Sequence, residues 1–198
     1  MKKFLFLSAA FCLCAAGYGR APLNAANAGD VIIAFGDSLT AGNGARADEA
    51  YPAALESMVK MPVINMGVSG DTARMGANRM REMAQYRPYM VLIEFGGNDA
   101  IRGRPFRETQ TAIAEIIDYV QKLGAAAVVV DTGGNFKMSP YTKMMKTLAK
   151  QKRALFVEGI MDGIFHKPQL KSDAIHPNAA GYRLIAEKIY KEIKPYLK

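Results

Sequence analysis

Five short apolar runs rich in β-branched residues recur along the chain, at residues 31–35, 63–66, 90–95, 126–131 and 154–157. Each is continuously apolar rather than alternating, the pattern of strands covered on both sheet faces. Between them the hydrophobic period changes. Ile113, Ile116, Ile117, Val120 and Leu123 recur at helical spacing, and Gly124 supplies the stop. Residues 50–60, 72–84 and 140–151 are further predicted helices. Tyr182, Ile185, Ile189 and Ile193 trace one face of a last helix halted near Pro195. Strands alternating with helices predict βαβ units, a parallel sheet and one three-layer α/β domain.

That architecture locates the chemistry, because ligands of open α/β sheets bind outside the carboxyl ends of the strands. The loops there read GDSLTAGNG, GVSGDT, GGNDAIRGRPF and TGGNFKMSPY. Glycines in such loops permit tight turns and let backbone N–H groups approach a ligand closely.

The first 28 residues are set apart from this pattern. Lys2 and Lys3 precede an apolar stretch at residues 4–16, too short to span a bilayer comfortably. Small residues follow at Ala15, Ala16 and Gly17, and again at Ala26, Asn27 and Ala28. This predicts a signal peptide cleaved near Ala16 or near Ala28, leaving one domain over residues 29–198. The expected product is exported, periplasmic or secreted, and monomeric, with no stable membrane insertion. Both cysteines, Cys12 and Cys14, fall within the leader, so the processed chain has no disulfide, cysteine nucleophile or thiolate metal site. Bulky Phe11 and Leu13 disfavour lipidation there. Lys and Arg outnumber Asp and Glu by 26 to 18. These cations are spread over several predicted helices without an aromatic-laced stripe, which argues against nucleic-acid binding.

Only two histidines are available as bases. His166, in GIFHKPQ, has no carboxylate at useful spacing and reads as surface loop filler. His176, in SDAIHPN, follows Asp173 by three residues, and Pro177 keeps it out of the helix that comes next. There a carboxylate can fix the Nδ1–H tautomer and leave Nε2 as a base, or the pair can simply cap the helix. Ser38, in GDSL, is either a turn residue or a nucleophile, and each group supplies what the other lacks. The G-x-S-x-G elbow is absent around Ser38, which counts against the α/β-hydrolase fold. An acyl-transferring serine also needs oxyanion donors. The Ser38 and Gly70 N–H groups and the Asn98 amide could serve, although Gly70 also suits a tight turn and Asn98 a cap.

GDSL at 36–39, NMGVSGDT at 65–72, GGND at 96–99 and DAIHPN at 173–178 resemble, in order, the sequence blocks of the SGNH/GDSL hydrolases. The resemblance spans essentially the whole mature chain and is nearest the exported bacterial thioesterase/lysophospholipase/arylesterase branch. It implies a flavodoxin-like α/β/α sandwich around a five-stranded parallel sheet, with no cofactor and no metal. It also implies Ser38 as nucleophile, His176 as base and Asp173 as its partner, with Ser38, Gly70 and Asn98 forming the oxyanion hole.

The implied activity is serine esterase or thioesterase chemistry on a small-molecule ester or thioester, such as an aryl ester, acyl-CoA or lysophospholipid. Ile101, Phe106, Phe136, Met138 and Tyr141 are placed to line an acyl groove, with Arg102, Arg104 and Arg107 beside it. Carbohydrate or peptidoglycan O-acetyl esterase activity is the alternative. A non-enzymatic anion-binding module is a second competitor. A metallohydrolase using Asp37, Asp173 and His176 is a third.

Overall fold

The computed structural model describes residues 21–134 and 138–198. Most of the predicted leader, and Phe136, lie outside these residues. Five parallel strands form one sheet in the order β2-β1-β3-β4-β5: β1 (Val31–Gly36), β2 (Val63–Gly67), β3 (Pro88–Glu94), β4 (Ala126–Val130) and β5 (Leu155–Val157). This is the flavodoxin-like order expected from the resemblance. Register is continuous across the centre, with Ile33 beside Ile64 on one side and Val91 on the other.

The long helices cover both faces. Helices α2 (Tyr51–Val59) and α7 (Ala179–Ile193) enclose a cluster with Ile32, Leu92, Val128 and Ile185. On the opposite face α3 (Ala73–Arg79), α5 (Phe106–Lys122) and α6 (Ser139–Gln151) pack over Ile33, Ile93, Val129 and Ile116. On α5 the buried positions are Thr109, Ala112, Ile113, Ile116, Ile117 and Val120, the stripe set by its 3.6-residue period. Gly124, at φ +82°, ends it in the left-handed region that a side chain would disfavour.

Two differences from the sequence reading bear on the site. The helix expected over 72–84 ends at Arg79 and continues as a 3₁₀ stretch, Met80–Gln85. The loops after β1 and β3 open with short helices, α1 (Ser38–Ala41) and α4 (Gly97–Ile101), too short to leave a periodic signature. Residues 21–28, assigned to the leader at its outer cleavage limit, pack against the domain. Leu23 N–H donates to the Arg153 carbonyl (2.9 Å), and Asn27 Nδ2 donates to the Tyr89 carbonyl (2.8 Å).

Candidate active site

At the carboxyl end of β1 the chain turns into α1 so sharply that no side chain fits at Gly36. A Cβ there would lie 2.1 Å from Thr40 Oγ1 and 2.6 Å from the Glu94 carbonyl oxygen. Asp37 caps α1 by accepting from Leu39 N–H at 3.0 Å. Ser38 is therefore the first residue of a helix, where a backbone N–H has no intrahelical acceptor.

The loop before α7 meets this serine from across the sheet edge. It is pinned by an antiparallel bridge between Lys171 and Pro177, with Ser172 N–H donating to the His176 carbonyl at 3.0 Å. Asp173 Oδ1 accepts from the backbone N–H groups of Ile175 (2.8 Å) and His176 (2.7 Å). Its other oxygen, Oδ2, stands 2.7 Å from His176 Nδ1, and His176 Nε2 stands 3.0 Å from Ser38 Oγ. The His176 ring bond first, then the two backbone donors, lower the Asp173 pKa to about 2. Asp173 is thus a charged acceptor that favours the Nδ1–H tautomer and leaves Nε2 as an acceptor facing Ser38 Oγ.

Asn98, in the first turn of α4, donates from Nδ2 to Asp37 Oδ2 and to the Asp71 carbonyl, both at 3.0 Å. The amide is thereby tied to the residue before Ser38 and to the residue after Gly70. Gly70 has φ +85°, and among the described residues no protein group accepts from its N–H. Asp99 anchors the same loop, accepting from Ala73 N–H (2.9 Å) and Thr109 Oγ1 (2.8 Å). Arg79 completes the scaffold. It donates to Asp71 Oδ2 (2.7 Å), the Met66 carbonyl (2.9 Å) and the Gly36 carbonyl (3.0 Å), holding the ends of β1 and β2 together.

Beneath the serine, Asp37 and Glu94 are buried together. Glu94 accepts from Thr40 Oγ1 (3.1 Å) and Thr132 Oγ1 (3.2 Å). Burial, and then the Glu94 charge, push the Asp37 carboxyl well above its ordinary range.

A cavity of about 460 Å³ opens over Ser38, Asn98 and His176, lined mainly by Leu39, Ile101, Met138, Met161, Phe165 and Ile175. Of the side chains expected to form the groove, Ile101 and Met138 line it. Phe106 and Tyr141 do not; they pack on each other, ring centroids 5.6 Å apart. Phe136 lies outside the described residues. His166 is exposed as expected, but it also lines the cavity and packs edge-on against Phe165 at 5.1 Å. Met161 and Phe165 come from the loop after β5, where Ile160 and Ile164 give the sequence the look of ordinary core. Asp37, Asp173 and His176 do not form a metal-ligand cluster among the described residues. Asp37 is bonded to Leu39 and Asn98, and both His176 nitrogens are engaged.

Comparisons with known proteins identify the family. Residues 34–184 match the model of the GDSL-like Lipase/Acylhydrolase family. The Escherichia coli (strain K12) protein "Thioesterase 1/protease 1/lysophospholipase L1" is 31% identical over 179 residues, covering 86% of each chain. A Vibrio mimicus "Arylesterase" is 27% identical over a 209-residue alignment spanning all of both chains. Among solved structures, the Pseudoalteromonas sp. esterase EstA aligns with TM-score 0.77 at 26% identity, covering 84% of this chain and 98% of that one. Sheet order, site and sequence blocks converge, and the chain belongs to the GDSL-like lipase/acylhydrolase family.

Proposed function

We propose that this carboxylic ester hydrolase works through an acyl-enzyme on Ser38, and that its substrates are acyl esters and thioesters. Ser38 Oγ attacks the carbonyl carbon while His176 Nε2 takes the hydroxyl proton. Charge developing on the carbonyl oxygen is met by Ser38 N–H, Gly70 N–H and an Asn98 hydrogen now held by Asp37 or Asp71. His176 then gives its proton to the departing alcohol or thiol, and the carbonyl re-forms as the acyl-enzyme. Water, deprotonated by His176, releases the acid and restores Ser38. The single observation that carries this reading is the unbroken line Asp173–His176–Ser38 at 2.7 and 3.0 Å.

The apolar lining favours an acyl chain longer than acetyl. The name of one relative, thioesterase/lysophospholipase, points the same way. The test is kcat/KM across nitrophenyl esters of increasing chain length, with acyl-CoA and lysophospholipid alongside. Values should rise beyond acetyl, and Ser38→Ala should lower kcat by roughly 10⁴-fold or more. A preference confined to acetyl groups would transfer the reading to carbohydrate or peptidoglycan O-acetyl esters, and an active Ser38→Ala would end it.

Export is part of the same proposal. The Lys2-Lys3 pair, the apolar run and the small residues after it support a leader and a periplasmic or secreted enzyme. Among the described residues no helix is long and apolar enough to cross a membrane.

A further inference from the structure

Among the described residues, the large hydrophobic side chains that remain exposed are Val68, Met75, Ile101, Phe106, Ile175 and Leu184. Singly such residues mean little, but their distribution here is uneven. Ile101 and Ile175 line the cavity, and Val68, Met75 and Phe106 sit in the loop or first helical turns that follow β2 and β3 at the carboxyl edge of the sheet. Every residue of the segment 101–107, IRGRPFR, is exposed, with Ile101 at 69%. Arg104 is paired with Glu108 at 2.7 Å. Arg102 and Arg107 on this segment, and Lys167 on the opposite rim, have no carboxylate within 4.0 Å among the described residues.

We propose that this rim docks the enzyme peripherally on an anionic lipid surface, with Ile101 and Phe106 entering the headgroup boundary while Arg102 and Arg107 meet lipid phosphates. Apolar tips flanked by unpaired cations are the combination that holds a soluble protein at such an interface. An acidic protein partner would match the charge as well. Against it, the apolar residues stand on separate loops and helical turns rather than on one flat face. Ile101 and Ile175 also line the cavity, so an acyl chain could pass from lipid to Ser38 along continuous apolar surface. The inference goes beyond the acyl-transfer reading, because docking requires no turnover.

The chain contains no tryptophan, so a single Phe106→Trp substitution reports on the rim. The protein should lack residues 4–16, verified by intact mass, because that apolar run would bind lipid on its own. On vesicles of phosphatidylglycerol and phosphatidylcholine the Phe106→Trp emission should shift to the blue, more weakly as salt is raised, and not on phosphatidylcholine alone. Leu184→Trp, on α7 away from the mouth, should not shift. The double variant Arg107→Glu/Lys167→Glu, which avoids Arg102 because its guanidinium lies against Gly70, should lose about tenfold or more in vesicle partition while hydrolysing a short soluble ester as before. Ser38→Ala should bind vesicles like the unsubstituted protein, so docking and acyl transfer fail separately. An unshifted Phe106→Trp, equal binding to neutral vesicles, or a shift elicited by an acidic protein but not by lipid would overturn the proposal.

Discussion

Asp173 does two jobs with two oxygens, and the pair can be separated by one atom. Oδ1 holds the loop through the N–H groups of Ile175 and His176, while Oδ2 receives Nδ1–H of the ring. In Asp173→Asn the amide oxygen can keep the loop bonds, but an NH₂ group then faces Nδ1. The ring must turn its lone pair to that side and carry its proton on Nε2, where it cannot accept from Ser38. The expected result is a fall in kcat of about 10³- to 10⁴-fold with only a small fall in melting temperature, since Asp173 is about half exposed.

The pH dependence follows with its sign. The folded pKa of about 2 lies below the ordinary carboxylate value of about 3.9. The carboxylate's hydrogen bonds therefore contribute fully above about pH 4, and that contribution is lost as pH falls through 2. Any loss of kcat/KM between pH 4 and 8 belongs to another group. Its acid limb should fall with a slope of one, and a slope of two would contradict a permanently charged Asp173.

At the scale of elements, the site depends on strand ends that are bound to one another. Arg79, on α3, joins the Gly36 carbonyl at the end of β1 to the Met66 carbonyl near the end of β2 while paired with Asp71 at 2.7 Å, and the two side chains are only 15% and 5% exposed. Arg79→Met would leave the Asp71 carboxylate buried without its cation. A loss of about 3–5 kcal/mol in urea unfolding is expected. A loss under 1 kcal/mol would show that the clamp carries no weight.

These elements also show what the sequence could reveal. The five strands and long helices were legible because burial on both faces imposes continuous apolar runs and a 3.6-residue stripe. Ser38, Asp173 and His176 were legible because GDSL and DAIHPN join the chemistry to loops at the strand ends. The partnership of Asp37 with Glu94 was not, because Glu94 at the end of a buried strand reads only as a boundary residue. Met161 and Phe165 were hidden for the opposite reason, since apolar residues beside Ile160 and Ile164 look like core until the fold directs them to a cavity.

For the molecule as a whole, the packing of residues 21–28 favours the earlier of the two proposed leader boundaries. Besides the bonds of Leu23 and Asn27, Asn24 Nδ2 donates to the carbonyls of Gln121 (2.9 Å) and Ala125 (3.2 Å), and Pro22 is buried. Cleavage near Ala28 would discard all of these contacts, whereas cleavage near Ala16 keeps them. If the proposed leader is removed, intact mass of the processed protein should place its first residue before Pro22, and a chain beginning at Gly29 would refute that.

The most direct test of the central claim is covalent. A fluorophosphonate mimics the tetrahedral species and should form one adduct, which peptide mass spectrometry assigns to Ser38. Labelling should vanish in Ser38→Ala and slow by orders of magnitude in His176→Ala. An adduct on any other residue, or full ester hydrolysis by protein that the reagent leaves unmodified, would contradict the account.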